Sequence, residues 1–313
     1  MIKWPLKPKV DDLVGVELRD DGIAIAHRQN TSKGNILKHV DFLPAGIEST
    51  TEQLLSHYVK KNNLQKLSCN VVLPQGHYQL LLVDAPEVPD AEMRSALRWK
   101  IKDLISTPLE NCIIDFFRLP DDGAHSRKKM VYTVIVDTVR LKAIIDLIKK
   151  ADLQLRSIDI SDLVMRNLAT HLIDPKFDGR GVAIARLRQG RGGVGLFKKG
   201  NLYLSRQFDL DYGAGLLEDL PADILALELQ RSLDYYERQM GQAAPSVVYI
   251  CGDGVTEDKI IDSLRASLAS SIQYLDISAI VSLPADVDFF MLQKCLGAIG
   301  GSLRTEFEKN AAD

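Results

Sequence analysis

The chain has no run of eighteen or more consecutive apolar residues, so no segment reads as a bilayer-crossing helix. Its start, MIKWPLKPKV, lacks the apolar stretch of a secretory signal and carries two prolines. Cysteine is scarce. Cys69, Cys112, Cys251 and Cys295 stand far apart, without CxxC or Cys/His spacing, which argues against a metal site and reads as buried thiols of a reducing compartment. His27, His39, His57, His77, His125 and His171 show no ligand spacing, and no serine sits in a GxSxG elbow. No single charge sign dominates: formal net charge is −3 with both signs interspersed, so neither a nucleic-acid partner nor an acidic tail is expected. What remains is an ordinary globular composition, 46% hydrophobic and 26% charged, in 313 residues. The expectation is a soluble cytoplasmic protein of about two domains. Trp4, between Lys3 and Lys7, is the N-terminal feature suited to a membrane surface; a frayed basic terminus is the plainer account.

What is present begins with VGVELRDDGIAIAHRQ (14–29), two alternating strands around a polar turn, followed by a third strand at 36–43. STTEQLLSHYVKKNN (49–63) predicts a helix with Ser49 or Thr50 as N-cap and Glu52 in its first turn. SCNVVLP (68–74) and HYQLLLVDAP (77–86) read as strands, the second buried on both faces because Leu80, Leu81 and Leu82 are continuous. From Pro89 the period changes to 3.6: Met93, Leu97, Ile101 and Leu104 share a helix face, and two strands and another amphipathic helix follow. After residue 180 the meander pattern recurs, with turns at 188–193 and 198–201, then a long helix, the strand SVVYICGDGV, a helix at 259–271 and a final helix ending at Gly300. The repeat predicts two related halves with a cleft between them. The expected division is a first half over 1–86, an inserted α+β subdomain over 87–156 and a second half over 157–313.

A doubled meander-and-helix unit resembles the actin, Hsp70 and sugar-kinase superfamily, an α/β, bilobed actin-like fold built from a duplicated ribonuclease H-like unit. The insertion narrows the resemblance. Trp99, Ile105, Leu109, Glu110 and Asp115 match the subdomain of the PilM family of type IV pilus assembly proteins, with Pro108 displaced, while Lys100 and Ser106 depart from it. Glu228, Arg231, Ser232, Tyr235 and Tyr236 resemble that family's long helix, and VVYICGDGV its adenosine-side strand. The resemblance is strongest on the branch serving mannose-sensitive haemagglutinin (MSHA) pili. It implies an adaptor at the inner face of the inner membrane, peripheral through its partners. Those partners would be the cytoplasmic tail of a PilN-like bitopic protein, MshJ-like in the MSHA system, and the assembly ATPase. The implied tail groove lies between the first half's sheet and the insertion.

In such a superfamily the first turn of each meander reads roughly Asp-x-Gly, freeing backbone N–H groups for phosphate and an acid for hydrated magnesium. Here Glu17 takes the acid's place and Arg19 the glycine's, followed by Asp20, Asp21 and Gly22. In the second meander Arg186 and Arg188 take those places, with Arg191 nearby. These arginines suit either an anion or a plain solvated turn. Gly252, Asp253 and Gly254 keep the late glycine turn, weak evidence by itself. Glu17, Arg19, Arg186, Arg188, Gly252, Asp253 and Gly254 are the candidate vestigial nucleotide positions. With both phosphate turns altered, the expectation is a non-enzyme without a cofactor; ATP with magnesium is the alternative.

Trp99 lies off the Met93/Leu97/Ile101 stripe, so it either packs on a neighbouring half or anchors a partner. A nucleotide-gated member of the same family is the second reading. A type II secretion L-type cytoplasmic domain is the third, disfavoured because the chain stops at GGSLRTEFEKNAAD without an apolar span.

Overall fold

The computed structural model describes residues 11–304 except 33, 48, 123–128, 174–178, 189, 211–221, 256–261, 263 and 285–286. Trp4 and part of the predicted helix at 259–271 therefore lie outside the described residues. No helix among the described residues is long and apolar enough to cross a membrane.

The first sheet is a meander extended by two parallel strands. β1 (Asp11–Arg19), β2 (Gly22–Thr31) and β3 (Gly34–Pro44) pair antiparallel, and β4 (Ser68–Leu73) and β8 (Gln154–Ile160) add in parallel on the β1 side, in the order β3-β2-β1-β4-β8. Alternation assigns the faces. Val14, Val16, Ile23 and Ile25 point to the outer helices α1 (Thr51–Lys61) and α3 (Thr138–Lys150), while Ala24 and Ala26 face the middle of the molecule. Thr50 caps α1 in a reciprocal box with Gln53.

The second sheet repeats this plan. β9 (Val182–Arg188), β10 (Gly190–Lys198) and β11 (Asn201–Leu210) form the meander, and β12 (Val248–Gly252) and β13 (Ile272–Tyr274) extend it in the order β11-β10-β9-β12-β13. The second meander's first turn is tighter than predicted: Arg188 pairs directly with Arg191. α5 (Ala222–Arg238) covers the outer face through Leu225, Leu229, Leu233 and Tyr236.

Between β4 and β8 the chain builds a three-stranded sheet of β5 (Gln79–Asp84), β7 (Met130–Asp137) and β6 (Cys112–Arg118), in the order β5-β7-β6. α2 (Asp90–Lys100) covers one face with Met93, Leu97 and Ile101 against Val131 and Ile135. Tyr132, Val134 and Val136 alternate to the other face and pack on the two halves. This arrangement corrects three expectations. The strand 79–84 is an edge strand of the inserted sheet rather than part of the first half, and only Val83 is buried, with Leu80, Leu81 and Leu82 partly exposed at the rim of that sheet. β8 straddles the expected boundary at residue 156 and belongs to the first sheet. Leu104 is exposed, since α2 stops at Lys100 and a 3-10 turn redirects the chain.

The C-terminal region gives a fourth correction. α6 (Phe289–Lys294) and α7 (Leu296–Ser302) are two helices broken at Cys295, and α7 packs on β1 of the first sheet, not within the second half. Missing side chains allow it. A Cβ on Gly15 would sit 1.9 Å from the Ala298 carbonyl oxygen, so only glycine on β1 lets this helix backbone lie so close. α7 and α4 (Ser161–Leu172) together fill the layer between the two sheets. All four cysteines are free and buried.

Candidate functional site

The two meanders present corresponding positions to each other across the cleft. Glu17 on β1 is fully buried and faces Arg186 on β9. Arg186 donates through both terminal nitrogens, Nη1 to Oε1 and Nη2 to Oε2, at 3.0 Å each, a fork-on-fork pair. Arg188 Nη2 adds a third bond to Oε1 at 2.6 Å, and Arg186 Nη1 also reaches Ser161 Oγ at 3.1 Å. Burial pushes the Glu17 carboxyl upward, but Arg186 and Arg188 outweigh it and hold its pKa at about 2. Burial and the neighbouring Arg186 bring Arg188 down to about 10, still charged at neutral pH.

Arg19 makes the second crossing. It donates to Asp21 at 2.7 and 2.9 Å, to Asp253 Oδ1 at 3.1 Å with a further bond to Oδ2, and to the Lys294 carbonyl at 2.9 Å. Phe42 lies under its guanidinium, 5.1 Å from the ring centre. Burial works against the Arg19 charge, but the bonds to Asp253 and Asp21 dominate and raise its pKa. The cluster thus sets three guanidinium groups against three carboxylates, with Lys294 Nζ also 3.7 Å from Asp21, so each of these carboxylates is met by a cation from within the protein.

The late glycine turn is committed as well. Gly252 has φ +128, and a Cβ there would be 1.9 Å from the Leu187 carbonyl oxygen, so glycine is required by contact between strands. Its N–H donates to Gln293 Oε1 at 3.0 Å, and the Asp253 N–H donates to Leu187 O at 3.0 Å. Gly254 follows at φ +73. The space left in the cleft is a cavity of about 280 Å³, lined in part by Arg19, Asp20, Asp21, Arg188, Arg191 and Asp253. That is just below the roughly 300–1,000 Å³ of typical ligand pockets. A second slot beside Asp162 and Arg186 measures about 10 Å³, about one water. The residues present do not fit magnesium triphosphate. Arg186 stands where the second acid would hold the metal, the Gly252 and Asp253 N–H groups already donate within the protein, and Arg19 and Arg188 are engaged by Asp21, Asp253 and Glu17 rather than free for phosphate.

Six of the eight sequence candidates, Glu17, Arg19, Arg186, Arg188, Gly252 and Asp253, meet in this cluster, with Gly254 next along its turn. Trp99 does not join them. It stands on the outer side of α2, 74% exposed, with the inserted sheet between it and both halves, so packing on a neighbouring half is ruled out. Sequence reasoning missed Gln293 and Gly297. A Cβ on Gly297 would lie 2.3 Å from the Glu17 carboxylate, so this glycine makes room for the buried acid; the only signal was the small-residue run GAIGG. It also missed a neighbouring network. Asp162 at the start of α4 accepts from Tyr78 and Ser205, and the Tyr132 hydroxyl accepts from Ser205 N at 3.2 Å while donating to Tyr203 O at 3.1 Å. Tyr132 of the insertion thereby occupies the backbone edge of β11.

No protein-family model and no curated protein matches the sequence. Solved structures do. A chain of the PilM-PilN type IV pilus biogenesis complex superposes with a TM-score of 0.72 at 16% identity, covering 95% of this chain and 98% of that one. The cytoplasmic domain of EpsL, an inner membrane component of the type II secretion system of Vibrio cholerae, gives 0.53 at 13% identity, covering 94% and 96%. A Bacteroides thetaiotaomicron protein with an actin-like ATPase fold and unknown function gives 0.50 at 10%, covering 91% and 95%. The chain has the actin-like ATPase fold.

Proposed function

We propose that this chain is a PilM-type adaptor of a type IV pilus assembly platform, MshI-like and serving an MSHA-type pilus. In this reading it works at the cytoplasmic face of the inner membrane. There it holds the N-terminal cytoplasmic tail of a PilN-like bitopic protein, MshJ-like, beside the inserted subdomain, and contacts the assembly ATPase. It hydrolyses nothing: the Glu17–Arg186–Arg188 and Arg19–Asp253 pairs clasp the halves where nucleotide and metal would otherwise bridge them. The observation that carries the reading is the likeness to the PilM-PilN chain over 95% of this chain, joined to a cleft whose charges are already matched internally.

Isothermal titration with the partner's tail peptide is expected to give heat of binding. A folded sample at high concentration that gives none overturns the adaptor reading. Millimolar Mg-ATP is expected to leave the melting temperature unchanged. A rise, by mass action on the native state, overturns the clasp and favours a nucleotide-gated protein.

A further inference from the structure

The duplication supplies an internal control for surface charge. α1 and α5 hold the same place in their halves, each following the third strand of a meander and preceding the fourth strand of its sheet. α5 carries Asp223, Glu228, Asp234 and Glu237 against Arg231 and Arg238. Its counterpart α1 carries Glu52 against Lys60 and Lys61, and α3 packed beside α1 adds Asp146 against Arg140, Lys142, Lys149 and Lys150. α5 is net negative, α1 is net positive and the α1–α3 layer strongly so, in a chain of net charge −3. A solvated face with no partner gives no reason for the two copies to diverge in sign.

We infer that the α1–α3 layer is a docking face for anionic phospholipid headgroups. Lys150 is bonded to Glu52 at 2.8 Å. Lys60, Lys61, Arg140, Lys142 and Lys149 are exposed and make no ion pair among the described residues. Four of these five are lysines, compact charges on flexible stems, which suit a broad phosphate-bearing surface better than the forked, shape-specific recognition of a protein carboxylate. Val139 and Ile145, 74% and 46% exposed on the same helix, add apolar contact at headgroup level. The adaptor reading supplies only the setting. α3 joins the insertion to the first sheet, so a membrane-anchored tail held beside the insertion would tether this layer near the bilayer.

The test is co-sedimentation of the full chain with vesicles of phosphatidylcholine alone or with phosphatidylglycerol added, at low and high salt. Binding is expected only with phosphatidylglycerol, is lost at high salt, and weakens at least about tenfold in Lys142→Glu/Lys149→Glu. Arg231→Glu/Arg238→Glu on α5, which removes equal charge elsewhere, is expected to bind as the parent does. The inference is overturned by sedimentation no better with phosphatidylglycerol than without it, or by equal loss in the α5 variant. Unchanged binding in a folded Lys142→Glu/Lys149→Glu variant overturns it too, and so does capture of an acidic protein by this face in place of lipid. Titration of the tail peptide in solution needs no lipid, so failure here and failure of the adaptor reading are separable.

Discussion

Replacing Glu17 by glutamine keeps the shape of the buried cluster and removes its central charge. Arg186 and Arg188 then share a buried site with no counter-charge between them. The cost follows from the carboxyl itself. Held at about 2 rather than its ordinary 4.5, the Glu17 carboxylate contributes about 3 kcal/mol to folding at neutral pH. Breaking a buried ion pair from one side typically costs about 3–5 kcal/mol, so the two routes agree. A carboxyl with a lowered pKa contributes fully above its unfolded value, and the contribution fades as pH falls from about 4.5 toward about 2. Urea denaturation at neutral pH is therefore expected to show Glu17→Gln about 3 kcal/mol less stable than the parent. The gap should shrink across that acid window, because the parent loses what the variant never had. A further variant separates charge from packing: Glu17→Leu with Arg186→Met and Arg188→Met removes all three charges of the pairing and should recover much of the loss. A Glu17→Gln protein within about 0.5 kcal/mol of the parent at neutral pH would refute the clasp.

Gly15→Ala is expected to push α7 off the first sheet, with a loss above about 3 kcal/mol by denaturation, since its Cβ would sit 1.9 Å from a carbonyl oxygen. Tyr132→Phe strips the β11 edge of the hydroxyl that serves Ser205 N and Tyr203 O, at about 1–3 kcal/mol, and hydrogen exchange should rise at Ser205. Trp99→Ala should leave stability within about 0.5 kcal/mol by urea denaturation, because the ring is 74% exposed.

The meanders, the capped helix α1 and the helical period of α2 were legible in the sequence because each is local: alternation, a capping residue and a 3.6-residue stripe act within one segment. Sheet membership was not legible. HYQLLLVDAP is equally apolar as a central strand or as the edge of an inserted sheet, and only its pairing with β7 decides between them. The final helix was assigned by chain order, yet it fits where a bare glycine on β1 leaves room for its backbone. The candidate residues were found by aligning the two turns. Their partnerships were invisible, since Glu17 and Arg186 lie 169 positions apart in the chain.

The sequence by itself determined the duplicated plan, and with it that an acid and an arginine occupy matching positions in the two halves. Only the tertiary structure decided that these two side chains bond each other, because charges opposite in sign attract across a cleft only when the fold brings the two strand ends within reach and keeps water from between them.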